Sequence, residues 1–276
     1  SIQTIYSSNL TSAPGSVSQV REITFELMRK AKESDIAMFI IGHITKDGSI
    51  AGPRVLEHMV DTVLYFEGEA SKELRMLRGF KNRFGSTSEI GIFEMTGEGL
   101  VSAKDIASKF FDKSKAQSGS ALTVSMEGSR ALILEVQALV TESTHPNPKR
   151  SATGFDVNRL NMLLALLEKK IDLPLNHYDV FVNISGGIKI KESSADLAVI
   201  AAIISSFRDR PISKESTFIG EVSLTGEVKD VYSIDMRLKE AQAQGIKKAI
   251  IAQKPSLDLK IKCFAVDDVP KMIELF

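Results

Sequence analysis

Two cations stand two residues apart in the run Lys81-Asn82-Arg83-Phe84-Gly85. Where the chain is extended, that spacing points both side chains to one face. Two cations on one face suit a phosphate chain, whose developing charge they stabilise during phosphoryl transfer. Spacing alone leaves a second reading open: Lys72, Arg75, Arg78, Lys81 and Arg83, against a lone acidic Glu73, also make an ordinary solvated basic face. Lys46 and Arg54 belong to a glycine-containing stretch from Thr45 to Arg54, in which Gly48 and Gly52 leave backbone N–H groups open to phosphates. Lys149 and Arg150, in a polar loop over 145–154, are a further pair of phosphate contacts, and a solvated loop accounts for them equally well.

Other chemistry is poorly served by this composition. The single cysteine, Cys263, rules out a disulfide framework and a cysteine-cluster zinc site, and points to a reducing compartment. His43, His58, His145 and His177 have no metal-ligand spacing, so no metal site is expected. No GxxxxGK[ST] run occurs, so the chain has no phosphate-cradling loop of its own. Lys+Arg and Asp+Glu are 35 each, and the balance holds on both sides of residue 116, so any nucleic-acid contact must come from a local patch. No apolar run approaches the roughly 18 residues of a membrane span, and a cytoplasmic protein without membrane partners is expected.

The elements that position these residues follow from periodicity. The 276 residues, 43% hydrophobic, are enough for two α/β domains with cores of their own. With no initiator Met the chain reads as cut, and Ser1–Ile5 as the tail of a strand. Helical spacing runs from Val17 to Lys32 behind a Ser16 or Ser18 cap. Ala37 to Gly42 is wholly apolar, the form of a buried parallel strand. A short helix over 55–59, strands over 62–66, 74–80 and 90–95, and a helix from Ala103 to Phe111 complete the first domain. The small polar run 113–120 is the linker, which sets domains of 1–116 and 117–276. Beyond it are strands at 121–126 and 131–140, a helix at 157–171, a strand at 180–184 and a buried Ala-rich helix at 195–206. Then come a strand at 217–224, a helix at 234–244, a strand at 249–252 and a last helix at 269–275.

The run Ser1-Ile2-Gln3-Thr4-Ile5, the loop ending Pro14-Gly15-Ser16, the stretch Gly42-His43-Ile44-Thr45-Lys46-Asp47-Gly48 and above all Lys81-Asn82-Arg83-Phe84-Gly85 resemble the bacterial RadA (Sms) DNA-recombination ATPases over essentially the whole chain. The resemblance implies the C-terminal part of a RecA-like ATPase core, after its Walker B strand, followed by a second α/β domain. It places the P-loop, with its ATP and Mg²⁺, and a zinc-binding segment ahead of this chain. It makes Lys81 and Arg83 fingers that reach the γ-phosphate held by a neighbouring subunit, and Gln3 and His43 γ-phosphate sensors. It gives the loops 7–18 and 45–53 the role of channel loops that grip single-stranded DNA, with Lys46 and Arg54 on the backbone.

From Val182 to Ala202 and from Gly220 to Glu240 the second domain resembles the proteolytic domain of Lon proteases. That match puts Ala195 where the nucleophilic serine belongs and Asp235 where the catalytic lysine belongs, so both dyad members are missing. Ser193, Ser194 and Lys191 do not substitute, because a shift of one residue on a helix turns a side chain by about 100°. The resemblance therefore implies an inactive Lon-like scaffold that drives assembly of a hexameric ring and carries duplex DNA on Lys149 and Arg150. The whole is expected to be a DNA motor for branch migration or unwinding, acting on single-stranded and branched DNA beside RecA recombinase. A non-catalytic module that oligomerises and binds DNA is the competing class.

Overall fold

The computed structural model describes residues 1–43, 55–68, 74–103 and 116–275. They divide into two compact units, Ser1–Met95 and Thr96–Phe276. Residues 104–111 of the expected helix and 113–115 of the expected linker lie outside the described residues, as do Lys46, Arg54 and Lys72.

The first unit opens on a 3₁₀ turn, Ile2–Thr4, where a strand tail is expected. Helix α1 (Val17–Glu33) is capped by Ser16, whose Oγ accepts the Gln19 N–H at 3.5 Å. Its inner face buries Val20 and Ile23 against Ile2 and Leu56, and Lys30 and Lys32 stand in its last turn, where the helix dipole favours cations. The expected buried strand over 37–42 is corrected. Residues 36–43 pair with no strand among the described residues, and Phe39 is 88% exposed. Apolar sequence becomes a strand only where a neighbour takes up its backbone groups. Here Ile2 N–H donates to Ile41 O at 2.9 Å, and no ladder follows. Helix α2 (Val55–Met59) then leads into an antiparallel meander of β1 (Thr62–Glu67), β2 (Leu74–Asn82) and β3 (Ile90–Thr96).

The second unit begins with the short β4 (Gly99–Ser102). Its main sheet has seven strands: β5 (Ser120–Glu127), β6 (Arg130–Glu142), β7 (Arg150–Thr153), β8 (Tyr178–Ile184), β9 (Ser216–Ile219), β12 (Lys248–Ile251) and β13 (Lys262–Ala265), in the spatial order β13-β12-β9-β5-β6-β8-β7. β5 pairs with β6 and β6 with β8 antiparallel, whereas β13, β12, β9 and β5 run parallel, as do β8 and β7. Helices α3 (Val157–Ile171), α4 (Asp196–Phe207), α5 (Ile234–Ala243) and α6 (Val269–Ile273) are interleaved with the strands. α4 is apolar all round and is buried from Asp196 through Ser205, packed on β5, β6 and β9. Leu238 and Ala241 of α5 join Leu122, Val124, Ile133 and Ile251 in a separate cluster on the sheet.

Two further expectations change. The loop over 145–154 contains the edge strand β7, so Arg150 sits on a strand and not in a loop. The expected strand over 217–224 breaks at Gly220, which separates β9 from the short β10 (Glu221–Val222), itself paired with β11 (Val228–Lys229). Gly220 N–H donates to Ser194 O at 3.0 Å and its carbonyl accepts from Leu197 N–H at 3.2 Å. A Cβ there would stand 2.9 Å from Val228 Cγ1, so the close approach of β11 favours glycine.

Candidate nucleotide and DNA interface

In the first unit, β1 and β2 converge on the connection after α2. Val63 pairs with Lys81 and Leu64 with Gly79, so Phe80 is the extra residue of a bulge, and Lys81 and Asn82 end the strand. Lys81 Nζ donates to the carbonyls of Glu57 at 2.7 Å, His58 at 3.3 Å and Val60 at 2.8 Å. Arg83 N–H donates to Asp61 O at 3.0 Å, and Arg83 Nη1 to Asp61 Oδ1 at 3.0 Å, with these side chains 52% and 45% exposed. Lys81, next to the end of β2, and Arg83, just beyond it, thus each bond within the segment 57–61. Tyr65 fixes that segment from below, its hydroxyl donating to Glu57 Oε1 at 2.7 Å. Asn82 shapes the loop beyond: its Oδ1 accepts the Phe84 N–H at 3.2 Å and its Nδ2 donates to Ser86 O at 3.4 Å. Phe84 is left 85% exposed at the tip.

Gln3 and His43, forty residues apart, are joined. Gln3 Nε2 donates to His43 O at 3.3 Å and His43 N–H donates to Gln3 Oε1 at 3.4 Å. Ser1 Oγ touches both, bonding Gln3 Oε1 and lying 3.2 Å from His43 Nδ1. The expected loop 7–18 ends at the Ser16 cap, with Val17 and Ser18 already in α1, and it is organised by a residue with no sequence signal for it, the buried Gln19. Its Oε1 accepts Ser7 N–H at 2.7 Å, and its Nε2 faces the carbonyls of Ser7, Leu10 and Ser12 at 3.1, 3.2 and 3.0 Å.

In the second unit, Ala195 is fully buried at the start of α4, and Asp235 stands in the first turn of α5 with Oδ1 buried and unpartnered. Between β5 and α5 lies an ionic network. The Glu192 carboxylate accepts from Ser125 Oγ, Met126 N–H, Ser194 Oγ and both terminal nitrogens of Arg237, at 2.6–2.9 Å. Burial pushes this carboxyl up, but the Arg237, Ser194 and Met126 donors outweigh it and hold its pKa at about 2. Asp196 binds Arg159 and takes the Val222 N–H at 3.1 Å, while Ser193 donates to Glu221 at 2.6 Å. Ser193 and Ser194 thus give their protons to carboxylates, and among the described residues neither is paired with a lysine. A serine–lysine contact occurs elsewhere, Lys214 Nζ to Ser120 Oγ at 2.6 Å, with Glu135 on the same ammonium.

Lys149 and Arg150 are held by their neighbours. Lys149 N–H donates to Asp179 Oδ1 at 2.7 Å, and that bond, with the Ser143 hydroxyl, lowers the Asp179 pKa. The Arg150 guanidinium reaches Glu168 at 3.3 Å. Among the described residues no group of three His, Cys, Asp or Glu side chains is arranged to hold a metal ion, and no helix is long and apolar enough to cross a membrane.

The family model described as subunit ChlI of Mg-chelatase matches residues 158–255, inside the second unit. Over 274 residues the chain is 66% identical to the DNA repair protein RadA of Campylobacter jejuni and 63% identical to that of Helicobacter pylori, covering 99% of this chain in each case. It is 54% identical over 252 residues, 91% of the chain, to the DNA repair protein RadA of Bacillus subtilis. The chain belongs to the RadA family. It spans 61% of the length of the first two relatives and 55% of the third, and corresponds to the RadA C-terminal region. Within this RadA sequence the Lys81–Gly85 run has a local logic: Lys81 anchors, Asn82 turns the chain, Arg83 pairs at the surface and Phe84 projects. Gln19 and Arg237 carry no comparable signal, since a polar residue on a helix reads as exposed until its partners are known.

Proposed function

We propose that the intact protein is an ATP-dependent DNA motor of recombinational repair, promoting branch migration or unwinding. The observation that carries this reading is the convergence of Lys81 and Arg83 on one segment, with Arg83 half-exposed and using a single side-chain bond of its five N–H donors. ATP and Mg²⁺ would be held by a P-loop outside this chain, and Lys81 and Arg83 would meet the γ-phosphate bound by a neighbouring subunit. Such cations stabilise the charge developing on the transferred phosphoryl group. Gln3 and His43, already bonded to one another, form the sensor pair of the same reading, because a shift in either moves the other. Loops 7–18 and 45–53 would take single-stranded DNA, with Lys46 and Arg54 on its backbone. The relatives' printed name, DNA repair protein, supports the biological role.

The second unit is proposed as the scaffold of a hexameric ring and as a duplex-DNA surface at Lys149 and Arg150, with branched DNA and RecA recombinase as partners. The carboxylates and Arg237 that fill the surroundings of Ala195 favour this assembly role over peptidase chemistry. The test is direct: in the intact protein, Lys81→Ala and Arg83→Ala should keep nucleotide binding while ATP hydrolysis falls at least tenfold. Wild-type hydrolysis by both variants contradicts the finger role and favours the non-catalytic module.

A further inference from the structure

An ammonium has three N–H donors, and the three carbonyl oxygens around Lys81 Nζ, from Glu57, His58 and Val60, take all of them. Their position explains the demand. α2 has five residues, so its last carbonyls lack partners further along the helix, and a cation complements that end electrostatically. Arg83 is engaged differently: one of its five N–H groups meets Asp61, and its side chain is 52% exposed.

We infer that Lys81 is a two-position cation. In a subunit that faces no nucleotide it clamps the end of α2; when a γ-phosphate arrives from the neighbouring subunit, its N–H groups pass to phosphate oxygens and the carbonyls of Glu57, His58 and Val60 are released. The reasoning rests on the trans-finger reading above and deepens it. With three donors and three acceptors already matched, Lys81 binds a phosphate by exchange, whereas Arg83 binds one by addition and keeps its hold on Asp61. No covalent bond changes. The segment 57–61 thereby becomes the element that reports nucleotide, and α2 begins at the residue after Arg54, an expected DNA contact. Lys81 is then a positioning residue without nucleotide and a catalytic one with it.

Amide hydrogen exchange on the intact protein reads this directly, in peptides spanning residues 57–62, with and without Mg²⁺ and an ATP analogue whose β–γ bridge is an imido group. In the wild type the analogue should speed exchange several-fold, at the Val60 amide among others, which donates to Leu56 O at 3.2 Å. Lys81→Ala should exchange fast already and gain nothing from the analogue, while Lys81→Arg should restore slow exchange in its absence. A lysine that only stabilises the fold would not make wild-type exchange depend on nucleotide. If Lys81→Ala does not fold, wild-type subunits mixed with P-loop-dead neighbours serve instead, and their response to the analogue should shrink. Unchanged exchange in the wild type on analogue binding overturns the two-position role. If Lys81→Ala still loses hydrolysis in that case, the finger reading survives it; if hydrolysis is normal, both fail together.

Discussion

Arg237 is fully buried and meets Glu192 at two points, Nη1 to Oε1 at 2.7 Å and Nη2 to Oε2 at 2.6 Å. Arg237 also donates to Val124 O at 2.6 Å and to Tyr232 O at 2.8 Å, so it ties β5, the segment before α4 and α5 together. Removing one member leaves the other's charge buried, whereas an apolar pair of similar volume leaves none.

Arg237→Met is accordingly expected to destabilise the second unit by roughly 3–5 kcal/mol, and the double variant Arg237→Met, Glu192→Met by less. Urea denaturation of the wild type and the two variants checks this. A double variant less stable than Arg237→Met contradicts it.

The same pair sets an acid limit. The Glu192 carboxyl has its pKa lowered from 4.5 to about 2, so its contribution is present above the unfolded value and is lost as pH falls through the folded one. Relative to Glu192→Gln, the wild type should therefore lose its stability advantage between about pH 4.5 and pH 2. Thermal melts of both proteins across that window test the sign, and a constant difference contradicts the assignment.

Gln19 is expected to act on DNA without touching it. Gln19→Ala frees Ser7 N–H and the carbonyls of Ser7, Leu10 and Ser12. Single-strand affinity in the intact protein should fall several-fold. The slope of log affinity against log salt should stay the same, because no phosphate-neutralising cation is removed. Anisotropy titrations at several salt concentrations measure both, and unchanged affinity places the DNA path elsewhere.

Arg150 gives a prediction with opposite signs at its two partners. Arg150→Ala should weaken duplex binding, while Glu168→Ala, which frees the guanidinium, should tighten it. Equal losses in both variants would make the pair structural only.

Much of this fold was legible because periodicity and burial agree along it. Helix α3 runs from Val157 to Ile171 as its pattern implies, and the alternation around 121–140 produces the paired strands β5 and β6. The run 37–42 misled for a physical reason: composition records that a segment is apolar, not whether a partner strand is there to bind it. β7 and β13 bury no residue fully and carry no buried apolar run, which is what marked the equally short β12. In the candidate site, the pairing of residues was out of reach. Nothing local joins Gln3 to His43 or turns Lys81 toward α2, since tertiary distance decides both.

The claim that Lys81 and Arg83 act across a subunit boundary is tested most directly by mixing. Intact Lys81→Ala subunits are combined with subunits whose P-loop lysine is replaced, after labelled subunits have been seen to exchange, and ATP hydrolysis is followed. A trans-acting cation contributes ~10³–10⁵ in rate in GTPases, and less is expected where two share the task. Mixed rings should regain part of the hydrolysis that each variant lacks alone, because some sites then pair an intact P-loop with an intact Lys81. Exchange without any recovered hydrolysis would contradict the account and leave Lys81 only a support for the end of α2.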